Sequence, residues 1–258
     1  MLKTRHNAWI LCLCVTLAIA CAKDPSKDAP AAQVSEPAEN TEAKAPAAED
    51  KAKDAPAAAV APKVKADKAP AAAPTNAPDK AKEILASRVQ LSGTLAFEGS
   101  KVTGSHRCIF KNWTGYVFPG AGRGGQIESM ALFVKARIES TYCDPDNRSQ
   151  WTEKLDKHLV GEDFFKAAEF PEAIFKSRRI TKAAEGEDAY TVVGQLTMRG
   201  VTKEVTFPAT ISVADKTLSG KAKFSINRKD FNIVYAGKPD DLIRDGVVLD
   251  LDFKGTLP

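Results

Sequence analysis

The sequence is poor in the residues that most catalytic and metal chemistry needs, with three histidines and five cysteines in 258 residues. It also lacks a dense block of one charge: the formal net charge is +4, and acids and bases are interspersed. No face can then neutralise several phosphates at once, which argues against nucleic acid as a partner. The apolar run from Ala8 to Ala20 falls short of the roughly 20 residues that a membrane-spanning helix requires. From Ala22 to Lys82 there is no aromatic residue. A segment of that composition cannot bury enough apolar surface to offset the entropy lost on ordering.

What is present at the N-terminus is an export signal. Lys3 and Arg5 precede the apolar run, as in a secretory signal peptide covering residues 1–20. Its end, Leu17-Ala-Ile-Ala-Cys21, resembles a bacterial lipobox, in which a cysteine follows a small residue and becomes the acylated first residue of the mature protein. Ala18 stands where lipoboxes more often carry leucine. Cleavage without lipidation and an uncleaved anchor are the alternatives. Several acyl chains on Cys21 would make attachment effectively permanent. Ala22 follows the cysteine in place of aspartate, and by resemblance to enterobacterial sorting signals this predicts an outer-membrane lipoprotein facing the periplasm.

Residues 21–85 then read as a lipidated cysteine and a disordered tether of Ala, Pro, Lys, Asp and Glu. Near-repeats run through it, KDAPAA at Lys27 and Lys53 and KAPAA at Lys44 and Lys68. Fully extended, such a tether reaches about 190 Å at about 3.1 Å per residue and would hold a domain away from its membrane. A segment that binds cell wall or a partner is the alternative.

Residues 86–258 are enough for one domain with a sizeable core. Their pattern has period two. Met130, Leu132, Val134, Ala136 and Ile138 alternate with residues such as Lys135 and Arg137. Val205, Phe207, Ala209 and Ile211 alternate with Thr206, Pro208 and Thr210. Leu218, Ala222, Phe224 and Ile226 repeat the pattern, as do Val247, Leu249, Leu251 and Phe253. With Gln90–Phe97, Val102–Phe110, Ala173–Ile180 and Tyr190–Met198 added, about eight strands have one dry and one wet face. Helical spacing is confined to Trp151–Val160, with Trp151, Leu155, His158 and Leu159 on one side; Asp163–Ala168 is read as a second short turn of helix. The fold class is all-β, an eight-stranded antiparallel barrel that covers its apolar face and removes its edges. A two-sheet sandwich is the alternative.

The cysteines follow from export. Cys12 and Cys14 leave with the signal and lipidation takes Cys21, so Cys108 and Cys143 remain where disulfides persist. His106 and Cys108 share one face of a strand. Four readings stay open: a Cys108–Cys143 disulfide, buried free thiols, a metal site recruiting His158, and a thiol–histidine nucleophile. No ligand-spacing motif supports the metal, and no local signature supplies the orienting group or oxyanion donors of a nucleophile. Two further motifs fail on context. Gly120–Gly125 matches the dinucleotide fingerprint but precedes an alternating strand instead of a helix. Asp144–Ser149 resembles the start of a calcium loop but has no glycine at its sixth position, and Leu155 replaces the bidentate glutamate. No metal or cofactor is expected.

The domain resembles the YceI-like family of bacterial envelope proteins. The resemblance rests on Phe97-Glu-Gly-Ser-Lys-Val-Thr-Gly-Ser-His106, on Phe110 with Trp113-Thr-Gly115, and on Asp156-Lys-His-Leu159 with Asp163-Phe-Phe165. Phe170-Pro171, Phe175, Leu196–Lys203 and Arg228-Lys-Asp-Phe231 complete it in order and spacing. Cys108 stands where the family pattern often has glycine, and Tyr142–Trp151 is reshaped around Cys143, which strengthens the disulfide reading. The Gly-x-Trp of true lipocalins is absent. The resemblance implies a lipocalin-like barrel that holds a polyisoprenoid or isoprenoid-quinone type of lipid for carriage or storage, with no chemistry. The candidate lumen residues are Phe110, Trp113, Leu132, Val134, Phe164 and Phe165, with Val205, Phe207, Phe224, Leu249 and Leu251. His106, His158 and Arg228 are candidates for a polar head at the mouth. The alternatives are a structural or stress-related envelope lipoprotein whose barrel is filled by its own side chains and, third, a thiol or metal enzyme.

Overall fold

The computed structural model describes residues 22–37, 86–120 and 127–258. The signal segment, the lipidation candidate Cys21 and most of the Gly120–Gly125 loop lie outside the described residues. In chain order the strands are β1 (Gln33–Ser35), β2 (Val89–Lys101), β3 (Gly104–Phe110), β4 (Trp113–Phe118), β5 (Ala131–Arg137), β6 (Thr141–Cys143), β7 (Glu172–Lys182) and β8 (Ala189–Met198). They continue as β9 (Val201–Ala214), β10 (Thr217–Asn227), β11 (Gly237–Lys238), β12 (Asp241–Leu242) and β13 (Gly246–Thr256). One α-helix, α1 (Gln150–Val160), is found among the described residues, and Asp163–Ala168 forms turns, not a second helix.

Strands β2, β4, β5, β7, β8, β9, β10 and β13 form a ring of antiparallel neighbours, closed where β13 pairs back on β2 through Leu249 opposite Phe97 and Leu251 opposite Leu95. The protein is an eight-stranded barrel, not a sandwich. β2 serves two partners on one side: Val89–Leu91 pairs with β4 and Ala96–Lys101 with β3. Gly93 sits at this bend with φ +133°, and a Cβ there would lie 2.0 Å from the Asp252 carbonyl oxygen, so no larger residue fits. Alternation did not reveal β4. Its inward position 115 is a glycine packed under the Trp113 ring and Leu91, which interrupts the row of large apolar residues. The β8–β9 hairpin turns on Arg199 and Gly200, both at positive φ, as a two-residue hairpin requires.

Two further elements depart from the sequence-based expectations. The first is α1, whose buried positions are Thr152 and Leu159, while Trp151 is 79% exposed. Ser149 caps the helix reciprocally with Thr152, and this entry geometry turns Thr152 inward and Trp151 out. The second is the segment expected to be a disordered tether. Residues 22–37 are instead fastened to the barrel. β10 pairs with β9 only over Thr217–Lys221, then diverges and follows β13 alone. The strap fills the gap: β1 pairs antiparallel with Glu204–Thr206 of β9, while Ala32 N–H donates to the Ser225 carbonyl (2.8 Å) and Ser225 N–H to the Pro30 carbonyl (2.9 Å). Ala32 and Val34 pack on the barrel core, and Glu36 pairs with Lys203. A segment too polar for a core of its own is ordered here because two diverging strands offer it unpaired backbone groups.

The strand ends next to Gly104, Cys143, Met198 and Asn227 are covered by a cap made of α1, the turns at 161–171 and the loop at 228–245. Under it, Phe97, Cys108, Ile138, Cys143, Leu159, Phe164, Phe165 and Ile233 form a cluster distinct from the barrel core. Cys108 and Cys143 lie directly opposite on β3 and β6 and are joined in a disulfide. Of the four readings of the cysteines, the structure takes the first, and the thiol partner of His106 is thereby used. The bridge closes a loop between residues 35 apart in sequence. Replacing both cysteines by serine should lower the unfolding free energy by about 3–4 kcal/mol, mostly through the unfolded chain. Urea denaturation of the oxidised parent and the double variant checks this, and an unchanged midpoint would contradict it.

Candidate ligand-binding cavity

The alternation that builds the strands points one row of each into the ring, and these rows do not fill it. They leave a cavity of about 210 Å³. β9 lines it from Val205 through Phe207 and Ala209 to Ile211, a length of roughly 20 Å at about 3.3 Å per residue. So small a volume drawn out along so much strand is long and narrow. Leu132 and Val134 of β5, Phe224 of β10, and Leu249 and Leu251 of β13 complete the wall. The cap contributes Leu159, Phe164, Phe165, Ile233 and Ile243, and Phe110 of β3 joins them. Phe97, Phe110 and Phe165 pack as a trio with centroids 5.4–6.4 Å apart. Phe207 stacks on Phe224 at 4.1 Å and meets Phe175 at 5.6 Å.

The lining holds no carboxylate, hydroxyl, thiol or imidazole, and its charged residues are Lys221, Arg228 and Arg244. The Lys221 head is turned to solvent beside Asp252. Arg228 is 3% exposed and its guanidinium is spent on backbone. Nε donates to the Arg244 carbonyl (3.1 Å), Nη1 to that of Ile233 (2.7 Å), and Nη2 to that of Ile243 (3.3 Å) and to Asp245 Oδ1 (3.1 Å). Burial pushes its pKa below the ordinary arginine value, and the neighbouring Asp245 opposes that shift. Arg228 therefore clamps the 228–245 loop and shows the cavity its stem.

Eleven of the fourteen residues selected from sequence line the cavity; His106, Trp113 and His158 do not. His106 Nδ1 bonds Asp144 Oδ2 at 2.6 Å and helps hold the turn after β6. His158 bonds Asp163 at 2.9 Å and backs onto the rings of Phe164 and Tyr235. Trp113 packs against Phe253. The wall residues left out of the selection divide into two groups. Phe97, Phe175, Val192 and Leu196 lie on strands whose alternation marks them, whereas Ile233 and Ile243 come from a loop with no period to read. Among the described residues no group of three or more His, Cys, Asp or Glu side chains could hold a metal ion, and no helix is long and apolar enough to cross a membrane.

A closed barrel with an apolar lumen is shared by several families, so the matching residues decide among them. The model of the YceI-like domain matches residues 86–255. The chain belongs to that family. A UPF0312 protein of Yersinia enterocolitica is 42% identical over 84 residues, which cover 30% of this chain and 42% of that protein. One of Yersinia pestis is 39% identical over 84 residues. The chain thus spans under half the length of these curated relatives. Among solved structures, BcnA of Burkholderia cenocepacia superposes with a TM-score of 0.50 at 19% identity, covering 63% of this chain and 96% of that one, a likeness of fold. The YceI-like domain is a lipocalin-like binding fold.

Because Arg228 is engaged by the loop it clamps, its removal should act on stability. Arg228→Ala should cost roughly 3–5 kcal/mol by orphaning buried carbonyls, and Arg228→Lys should recover only part of it because an ammonium cannot match the fork. Chemical denaturation of the two variants measures both differences.

Proposed function

We propose that the barrel binds a single extended apolar lipid chain, of the polyisoprenoid or isoprenoid-quinone type, for carriage or storage and without chemical change. One observation carries this reading: a long, narrow cavity lined by carbon, with no side chain placed to act as acid, base or nucleophile. Its volume is below the roughly 300–1,000 Å³ of pockets for compact drug-sized ligands, which favours a slender isoprenoid chain as the part held inside. Each methylene removed from water contributes about 0.8 kcal/mol, so a few isoprene units bind appreciably after their lost freedom is subtracted. The protein is exported, acylated at Cys21 and held at the outer membrane facing the periplasm. The small cavity and the stacked Phe207–Phe224 pair favour a second reading, a structural envelope lipoprotein with a largely self-filled barrel.

Organic extraction of the purified protein followed by mass spectrometry should yield a copurified isoprenoid lipid; an empty extract from protein isolated out of its own envelope favours the second reading. Leu249→Arg should abolish lipid retention by placing an unpaired charge in the lumen. Ala209→Phe, which adds only carbon, should reduce retention by filling the same space, and thermal melting reports whether each variant is folded. Cys21→Ser should move the protein from membrane to soluble fractions, and unchanged membrane retention would overturn the acylation reading.

A further inference from the structure

The chain begins its described path fastened to the cap end of the barrel. Ala22 N–H donates to the Val102 carbonyl at 3.2 Å. Arg244 holds the same stretch from the other side: Nη2 donates to the Ala22 carbonyl at 2.6 Å, Nη1 to that of Lys23 at 3.4 Å, and Nε lies 3.6 Å from Asp24. Farther along, the strap is locked into the gap between β9 and β10. Cys21 is bonded to Ala22, and the Ala22 N–H to which it connects is held at Val102.

The surface around that point is held firmly and presents two exposed apolar residues among charged ones, Val102 and Leu242. Val102 N–H donates to the Leu242 carbonyl at 3.2 Å, which joins two side chains that are 39% and 49% exposed. The turn that carries Val102 is fixed by Asp241, which accepts from Thr103 N–H (3.2 Å) and Thr103 Oγ1 (2.9 Å) and pairs with Lys101. Five large apolar side chains are exposed among the described residues. Val102, Trp151, Val234 and Leu242 belong to the cap or the turn against it, and Val213 stands at the far end of the ring. Single exposed apolar residues are ordinary; Val102 and Leu242, adjoining each other at the point where Ala22 is held, are what points to a partner.

We propose that the acyl anchor seats the cap end of the barrel directly on the lipid surface, with Val102 and Leu242 entering the boundary between headgroups and acyl chains. This rests on the acylation of Cys21 and deepens the function given above. One residue spans at most about 3.6 Å, so an anchor on Cys21 leaves the cap no room to stand off while Ala22 stays bound. The Ala/Pro-rich residues 38–85 connect the strap to β2 and do not lie between anchor and barrel. The cap side of the cavity, where Ile233 and Ile243 line it, then faces the bilayer from which an apolar chain would come. Acids and bases are mixed at this end, Lys23, Asp24, Asp28, Lys101 and Asp241 together, so the contact is made by apolar insertion and depends little on anionic lipid.

The test places one fluorophore on the mature acylated protein, at Leu242→Cys in one preparation and at Val213→Cys in another. Acylation of Cys21 and the Cys108–Cys143 disulfide leave the introduced cysteine as the free thiol. The protein is incorporated into vesicles of phosphatidylethanolamine and phosphatidylglycerol carrying a nitroxide on the acyl chain, and the mass of the N-terminal peptide is measured on the same sample. With Cys21 acylated, the proposal expects strong quenching at position 242, little at 213, and the same result in vesicles without phosphatidylglycerol. Adding Arg244→Ala, which loosens residues 22–24 from the cap while leaving the anchor, should lower quenching at 242 toward the level at 213. Acylated protein with equal quenching at both positions overturns the seating but leaves the anchor standing. An unmodified Cys21 overturns both.

Discussion

The pairing of β13 with β2 is the contact on which the rest of the molecule depends. It joins the last strand to the first strand of the ring through register pairs from Val248 opposite Glu98 to Lys254 opposite Ser92. With it, Leu249 and Leu251 face the same interior as Leu95 and Phe97. Without it, every inward row would belong to an open sheet with a wet face and two unpaired edges. Closure also sets the size of the lumen, because eight strands give an interior that side chains just fill or just fail to fill. Here the balance falls slightly short of filling, and the shortfall is a channel of carbon.

The polar chemistry of the protein has been moved to the ends. Arg228, the most buried cation among the described residues, meets backbone carbonyls and one carboxylate, so its charge is satisfied before any ligand arrives. His158 holds an aspartate in the cap, and His106 one in the turn after β6. The disulfide ties β6 to β3 beneath the same region. Arg228, His106 and His158 are therefore satisfied within the protein, and a nonpolar occupant competes with none of them.

What the sequence reveals follows this division. Rows such as Val205–Ile211 and Val247–Phe253 are legible because a strand with one buried face must alternate, and the eight-stranded class and most of the cavity wall come from that rule. His106 beside Cys108 looks like chemistry in a linear reading; in three dimensions one side chain turns to Asp144 and the other to Cys143. Trp151 shows the limit of helical periodicity, since Ser149 and Thr152 set the rotation of α1 and a large apolar residue ends outside. Ile233 and Ile243 are placed by Arg228 through contacts distant in the fold's logic, and no local pattern announces them.

The strap was hidden for a different reason. Its composition lacks the apolar residues of an independently folding segment, and by that criterion it reads as disordered. Order comes from outside, because β9 and β10 part and leave backbone groups that any short extended segment can satisfy. Alanine and proline suit this role: small side chains let Pro30–Ala32 lie close against Ser225, and Val34 supplies the one larger apolar contact. Residues 38–85 then run from one point on the barrel to another. For a connection between fixed points, each doubling of length adds only about 0.6 kcal/mol, so their low-complexity repeats can lengthen or shorten with little effect on the strap. The composition that suggests a spacer thus accompanies an arrangement in which the spacing between anchor and barrel is fixed by residues 22–37 instead.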